Sequence, residues 1–340
     1  MRIVVDCMGT DYGPKEIVKG AVDAVKKFGC EIVLVGEEKI LSDLVKEYGY
    51  TDNPKVKIQN ATQVIEMHEH PALAFRQKKD ASIVVASKML KSGEVDALVS
   101  SGSTGAAVAS ALFGVGRIKG VDKPVIALPM PTVKGHVALV DAGGVVDAKP
   151  ENLLQAAIMG SIYADKILKL HNPKVGLLNI GEEDTKGNEQ VKATYALLKE
   201  EKNINFIGNI EGRDVNHDVA DVVVCDGFVG NVVLKFGEGL AKAIFQLIKE
   251  SIEKAGFFAK LGAYLIKPAL VSLKKHVDPN EAGGCLLLGI KAPFVICHGN
   301  SKAFAITNAI GTTIELVKED VVNIIQEQIA ASNQGNEDKA

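Results

Sequence analysis

Short runs of β-branched and aliphatic residues recur along this chain, most of them followed by a stretch of helical periodicity. The runs lie at Arg2 to Val5, Glu31 to Val35, Val56 to Ile58, Asp96 to Val99, Val125 to Leu128, Val137 to Val140, Lys174 to Leu178, Val219 to Val224 and Phe294 to Cys297. This alternation of strand and helix signals restricts the fold to the α/β class. Many of the runs are apolar at successive positions, so both of their faces are buried, as in a mostly parallel sheet covered by helices on each side. The expectation is a three-layer α/β/α sandwich, Rossmann-like in general plan. Helices are expected at 14 to 28, with Pro14 in the first turn, and at 151 to 170, 186 to 201, 231 to 254 and 301 to 329.

With 340 residues, 47% of them hydrophobic, the chain can bury a sizeable core as one large domain or two smaller ones. It has no Pro- or Ser-rich linker and no fixed-period repeat, so a single domain over 1–330 is expected, with two lobes as a variant. The polar stretch 331–340 is expected to be a disordered tail. A formal charge of −3 gives no reason to expect a polyanion partner, local basic patches aside, so nucleic acid is not an expected partner. The five cysteines are scattered without a CxxC pair, which fits neither a disulfide framework nor a zinc knuckle and suits a reducing cytoplasm. Asp6 interrupts the N-terminus before an apolar signal region develops, and no apolar run reaches the ~18 residues of a membrane span.

In open α/β sheets, ligands bind beyond the carboxyl ends of strands, where loops enter helix N-termini. Five such loops are small and polar: Asp6 to Asp11, with Gly9; Ser100 to Gly105, with Ser103 and Thr104; Asp141 to Gly144; Gly181 to Asn188; and Asp226 to Asn231. Glycines let backbone approach an anion closely, and neutral donors hold it. Any one of them could be a tight βα turn, whereas five point to a phosphate-sized site. There is no GxGxxG after the first strand, no GxxxxGK[ST] and no GxSxG, which leaves out the standard dinucleotide, P-loop and serine-hydrolase signatures. A bound phosphate that attacks directly needs no protein nucleophile, only cations and donors that hold and aim it.

Lys186 heads a predicted helix beside Gly181, Gly187 and Asn188, where an anion would meet an ammonium and free N–H groups; the plain alternative is a solvated lysine. Asn231 follows Gly227 and Gly230 at another helix start and is either an N-cap or a donor to a developing oxyanion. Asp147 and Lys149 precede Pro150 as substrate contacts or as a helix-start signal. His298 could contact an anion, and Ser301 could do so or cap the C-terminal helix. His68-Glu69-His70 lacks companions at zinc spacing, so no metal is expected. Cys225 ends an apolar strand with no histidine near it in sequence, which marks a buried structural thiol.

The ordered motifs resemble the PlsX-type phosphate acyltransferases over almost the whole chain. They are Asp6-Cys7-Met8-Gly9, Ile65-Glu66-Met67 to Pro71 with Arg76, Ser103-Thr104-Gly105 with Val115 to Gly120, Val146 to Glu151, Leu177 to Gly181, Lys186 to Glu189, and Ala220 to Val224 running on through Asp226 to Lys235. The resemblance implies a dimeric fold related to phosphate acetyltransferases and no metal or nucleotide cofactor. It also implies transfer of a long-chain acyl group from acyl carrier protein (ACP) to inorganic phosphate for bacterial phospholipid synthesis, with catalytic roles at Lys186 and Asn231. The other named loop residues, including Asp226, then serve as substrate or phosphate contacts. Thr10, Val145 and Asn300 depart from the family's usual Gly, Asn and Ser.

From 254 to 275, Phe257, Phe258, Leu261, Tyr264, Leu265, Leu270 and Leu273 mingle with Lys260, Lys267, Lys274 and Lys275, and Pro268 divides the segment into two short helices. This amphipathic hairpin, about 250–276, reads as a membrane-surface element or as packing in a dimer interface, and the resemblance suggests both. It would also give acidic ACP a basic, apolar landing place. The resemblance thus places the enzyme in the cytoplasm, at the inner face of the membrane and near a downstream membrane acyltransferase. Two rival readings stand beside this one: a phosphate acetyl- or butyryltransferase using coenzyme A, and a non-catalytic membrane scaffold.

Overall fold

Successive residues of the same strand enter two different cores. Ile3 and Val5 face one while Val4 faces the other, and the same division separates Ala97 and Val99 from Leu98, and Val222 and Val224 from Val223. A strand with period-two geometry and no polar face must be covered on both sides. The computed structural model, which describes residues 1–278, 281 and 283–337, shows one sheet between two helical layers.

The strands are β1 (Arg2–Asp6), β2 (Glu31–Gly36), β3 (Val56–Asn60), β4 (Ala97–Ser100), β5 (Val125–Pro131), β6 (His136–Val140), β7 (Lys174–Asn179), β8 (Asn205–Glu211), β9 (Val222–Val224), β10 (Cys285–Leu288) and β11 (Phe294–Ile296). Their order is β3-β2-β1-β4-β11-β10-β5-β6-β9-β7-β8. The pairings from β3 to β11 and from β6 to β8 are parallel, whereas β11–β10, β10–β5 and β5–β6 are antiparallel. Three reversals leave the two parallel blocks running in opposite directions. The sheet is mostly parallel, as the apolar runs require, and mixed at its centre.

One face carries α1 (Pro14–Phe28), α2 (Glu38–Glu47), α6 (Pro150–Lys166), α7 (Glu189–Glu200), α11 (Ala303–Lys318) and α12 (Val321–Glu337). The other carries α3 (Pro71–Gln77), α4 (Ser82–Ser92) and α5 (Thr104–Ser110), which a π-turn extends to Val115. A long helix α8 (Gly227–Lys254) leads into α9 (Gly256–Leu265) and α10 (Lys267–His276). Of α8, only Gly227 and Gly230 are buried, while Val233 and Leu234 pack partly buried against the second core.

Several expected boundaries shift. The C-terminal helix divides at Asp320, whose φ of 51° lies in the left-handed region that ends helices. Residues 331–337, expected in a disordered tail, continue α12; 338–340 lie outside the described residues. The hairpin breaks at Ile266, with Pro268 in the first turn of α10, where its missing N–H costs nothing. No single helix among the described residues is long and apolar enough to cross a membrane, and α9 and α10 meet the composition only as a pair bent by 63°.

α1 and α11 pack almost backbone to backbone. A Cβ at Gly20 would lie 2.5 Å from the Ala303 carbonyl oxygen and 2.6 Å from Ile306 Cβ. Thr307 Oγ1 donates to the Gly20 carbonyl at 2.9 Å, and Ala303 N donates to Glu16 Oε2 at 2.9 Å. Overpacking a joint of this kind typically costs 1–3 kcal/mol, so Gly20→Ala is expected to destabilise the chain by about 2 kcal/mol. Urea unfolding checks this through a lower midpoint at unchanged m-value.

Candidate active site

The five polar loops fall into two groups. Because the parallel blocks oppose each other, the carboxyl ends of β1, β4 and β11 lie at one edge of the sheet and those of β6, β9 and β7 at the other. The five loops expected to signal a phosphate-sized site are thus divided between the two edges. Asp6, Gly9, Ser103, Thr104, Gly105, His298 and Ser301 share the first edge; Asp147, Lys149, Gly181, Lys186, Gly187, Asn188, Asp226, Gly227, Gly230 and Asn231 share the second.

At the second edge the organising group is the Asp141 carboxylate, 1% exposed at the end of β6. Its Oδ1 accepts from the backbone N–H of Ile126 (2.9 Å), Gly143 (3.1 Å) and Gly144 (2.8 Å), and its Oδ2 from Val145 N (2.7 Å). Burial pushes the Asp141 carboxyl above its ordinary value, and these hydrogen bonds counter the rise. The resulting loop receives the start of α8. Gly227 N donates to the Val145 carbonyl at 2.8 Å, and a Cβ at Gly230 would lie 1.9 Å from the Asp141 carbonyl oxygen. Neither glycine has a positive φ, so both are required by close approach and not by turn conformation.

That contact fixes Asn231. The N-cap of α8 is Asp226, whose Oδ1 accepts from Phe228 N (2.9 Å) and Val229 N (3.0 Å), so Asn231 lies in the second turn and is relieved of capping. A Cβ at Gly143 would sit 3.6 Å from Asn231 Cβ, Cγ and Nδ2, which places the carboxamide directly over the glycine loop. Among the described residues it has no hydrogen-bond partner. Burial, helped by the neighbouring Asp226 and Asp141, pushes the Cys225 thiol well above its usual value and keeps it neutral.

Lys186 occupies the loop after β7. The helix expected to start with it begins at Glu189, capped by Asn188, whose Oδ1 accepts from Val191 N at 2.9 Å. Lys186 is exposed and makes no ion pair among the described residues, and its carbonyl accepts from Asn179 Nδ2 at 3.1 Å. Gly187, at φ 95°, lies so close to Asn179 that a Cβ would be 2.7 Å from its Oδ1, and Gly181 similarly lines Lys186 Cγ at 3.1 Å. The exposed Asp147 and Lys149 precede α6, whose first helical residue is Pro150; Gln190 Nε2 bonds the Ala148 carbonyl and ties this loop to α7. Asp141 and Asn179, which shape these loops, went unassigned in the sequence; a lone acid directly before Ala-Gly-Gly was the available signal for the first.

At the opposite edge Asp6 is 2% exposed and accepts from Ser100 Oγ at 2.8 Å, while Gly102 N donates to that hydroxyl at 3.3 Å. Burial raises the Asp6 carboxyl, and hydrogen bonds from Ser82, Ser100 and Met8 counter this. Ser103 caps α5, Thr104 is exposed in its first turn, and a Cβ at Gly105 would lie 2.6 Å from Pro71 Cγ. Gly9, at φ 74°, packs near Gly102, and Asp11 N donates to the Gly299 carbonyl at 3.0 Å, which joins the loops after β1 and β11. His298 is exposed and Ser301 is buried. Ser301 does not cap α11: the N-cap position belongs to Lys302, and Glu16 receives the Ala303 N–H. In the His68–His70 segment Glu69 pairs with Lys78 at 2.6 Å. Among the described residues one trio, Glu182, Glu211 and Asp214, comes within metal-ligand spacing, and Glu211 also pairs with Arg213.

A family model described as "Fatty acid synthesis protein" matches residues 1–324. The phosphate acyltransferase of Desulfitobacterium hafniense is 52% identical over 330 residues, covering 97% of this chain and 98% of that protein. The chain belongs to the PlsX family of phosphate acyltransferases. The Heliobacterium modesticaldum phosphate acyltransferase is 50% identical over 329 residues, covering 97% and 98%. Among solved structures, a phosphotransacetylase from Streptococcus pyogenes aligns with TM-score 0.64 at 16% identity, covering 94% of each chain. A branched-chain phosphotransacylase from Enterococcus faecalis aligns with TM-score 0.56 at 13% identity, covering 93% of this chain and 99% of that one. These likenesses fix the fold as the α/β plan of the phosphotransacetylases.

For a phosphate acyltransferase the Asp141 knot ties three adjacent strand ends into one platform. Asp141→Asn keeps the volume but turns the acceptor facing Val145 N into a donor. The expected cost is about 2 kcal/mol, because a buried N–H is left unmade. Thermal unfolding, read beside acyltransferase activity, checks it: both are expected to fall together.

Proposed function

We propose that the chain transfers a long-chain fatty acyl group from the thioester of ACP to inorganic phosphate, giving acyl phosphate for phosphatidic acid synthesis. The observation that carries this reading is the Asn231 carboxamide, freed from capping and held over the Gly143 loop by the close seat of α8. A phosphate oxygen, held by loop N–H groups and the Lys186 ammonium, attacks the thioester carbon. The carbonyl oxygen gains negative charge and accepts a hydrogen bond from Asn231 Nδ2. The C–S bond then breaks, and the pantetheine thiolate leaves and takes a proton from solvent. Phosphate is the nucleophile throughout, so the buried, neutral Cys225 has no part to play.

Loss of an oxyanion donor typically costs ~10² to 10³ in turnover, and a fall of that order is expected for Asn231→Ala. Lys186→Ala is expected to lower phosphate-dependent consumption of palmitoyl-ACP at least as far. Near-normal rates in both variants would remove the assignment. Acetyl-CoA in parallel separates this substrate from a short-chain coenzyme A ester, and absence of any acyl phosphate with either donor would leave the scaffold reading.

The same reading includes a homodimer and a membrane contact. Val232 (54% exposed), Phe236 (69%), Leu240 (48%), Ile244 (47%) and Ile248 (36%) form an i, i+4 stripe along α8, which supports pairing with a second copy. On the hairpin, Phe257 (75%) and Phe258 (85%) stand out beside Lys260, which supports peripheral contact with an anionic bilayer, docking of acidic ACP and handover to a downstream membrane acyltransferase. Phe236→Asp with Leu240→Asp is expected to give monomers by light scattering, whereas Phe257→Asp with Phe258→Asp is expected to keep the dimer and lose co-sedimentation with anionic vesicles. The opposite pattern would exchange the two surfaces.

A further inference from the structure

A cavity of about 590 Å³ opens on the sheet face between α6 and α11, and α10 forms one wall. No residue of either loop group lines it. Its volume falls within the ~300–1,000 Å³ typical of small-molecule sites. One side is hydrocarbon and aromatic, made by Tyr163, Ile167, Leu168 and Phe304. The other is mainly basic, with His136, Lys275 and His276 facing a single carboxylate, Glu281.

Three observations point to an occupant. Tyr163 is 1% exposed and lines the cavity, and its phenol makes no hydrogen bond among the described residues, so its O–H is left to whatever fills that space. Burial holds that phenol far above its usual ionisation range, so it stays a neutral donor. The Lys275 ammonium has no ion pair among the described residues. The histidines are fixed near each other, rings 5.6 Å apart, by the bond from His276 Nε2 to the Thr132 carbonyl at 2.7 Å, which seats the foot of α10 on the β5–β6 turn. A nucleotide would need a base-reading edge and a sugar several carboxylate or carboxamide partners; an apolar wall facing one ammonium and two imidazoles, of which burial and the neighbouring His276 hold His136 toward its neutral, hydrogen-bonding form, suits neither.

We propose that this cavity seats a single-chain amphiphile with an anionic head, its hydrocarbon along Tyr163, Ile167, Leu168 and Phe304 and its head on Lys275 and the two histidines. The seat is separate from the loops at Lys186 and Asn231, so the proposal goes beyond the acyl-transfer reading and stands without it. A fatty carboxylate and a long-chain phosphate ester share the required chemistry.

The test uses the full chain and the fluorescent fatty acid dansyl-undecanoate, displaced by dodecanoate, dodecyl phosphate or dodecanol below their micellar concentrations. Saturable binding is expected, with both anions better competitors than the alcohol. Dodecyl phosphate as the stronger one identifies a phosphate head, and dodecanoate as the stronger one a fatty carboxylate. Leu168→Trp, which fills the cavity, is expected to weaken the probe at least about tenfold, and Lys275→Glu, at an exposed position that leaves the fold intact, about fivefold. Lys186→Ala is expected to bind as the wild type does, even where acyl transfer is lost. Absence of saturable binding, equal competition by dodecanol, unchanged affinity in Lys275→Glu or a folded Leu168→Trp, or loss of binding in Lys186→Ala would each overturn the proposal.

Discussion

The antiparallel ladder through β11, β10, β5 and β6 governs the rest of the molecule. A wholly parallel sheet would deliver every strand-to-helix loop to one edge. Here an odd number of reversals turns the second block over while the hydrogen-bond network and both cores run through without a break. The chain thus has one continuous interior and two edges that carry polar loops. Each edge carries one buried acid that accepts hydrogen bonds from its neighbours: Asp6 at the first and Asp141 at the second.

The two candidate catalytic side chains are held in different ways. Asn231 is immobilised from behind, because Gly230 lets α8 touch the Asp141 carbonyl and the carboxamide can then only lie over Gly143. Lys186 is held by its backbone, through Asn179 and the tight Gly187 turn, while its ammonium extends into solvent. A donor that must meet a developing charge gains from rigidity, whereas a cation that collects phosphate from solution tolerates reach.

The sequence made the class of fold legible because strands buried on both faces leave an unmistakable run, as at Val137 to Val140. β10 was missed, since Cys285-Leu286-Leu287-Leu288 has no β-branched residue, and β8 was missed because an edge strand reading Asn-Phe-Ile-Gly-Asn-Ile-Glu is only half covered. Helix starts were misplaced by a few residues where several polar residues competed: Asp226 took the cap that Asn231 could have had, and Asn188 the position expected for Lys186. The division of the loops between two edges was not legible, because strand direction is a property of pairing and no local run encodes it. Family membership was legible from the order of short motifs, each of them weak alone.

α8 also fixes a phase relation. It is a single unbroken helix of 28 residues, with Asn231 in its second turn and the hairpin at its far end. An α-helix advances ~1.5 Å and turns ~100° per residue. Inserting one residue midway would therefore swing the hairpin to a different side of the body while leaving the site untouched, and inserting seven would nearly restore its bearing some 10 Å farther out. Length changes in this helix are thus constrained in steps of whole turns, a restriction on viable insertions that composition along α8 does not reveal.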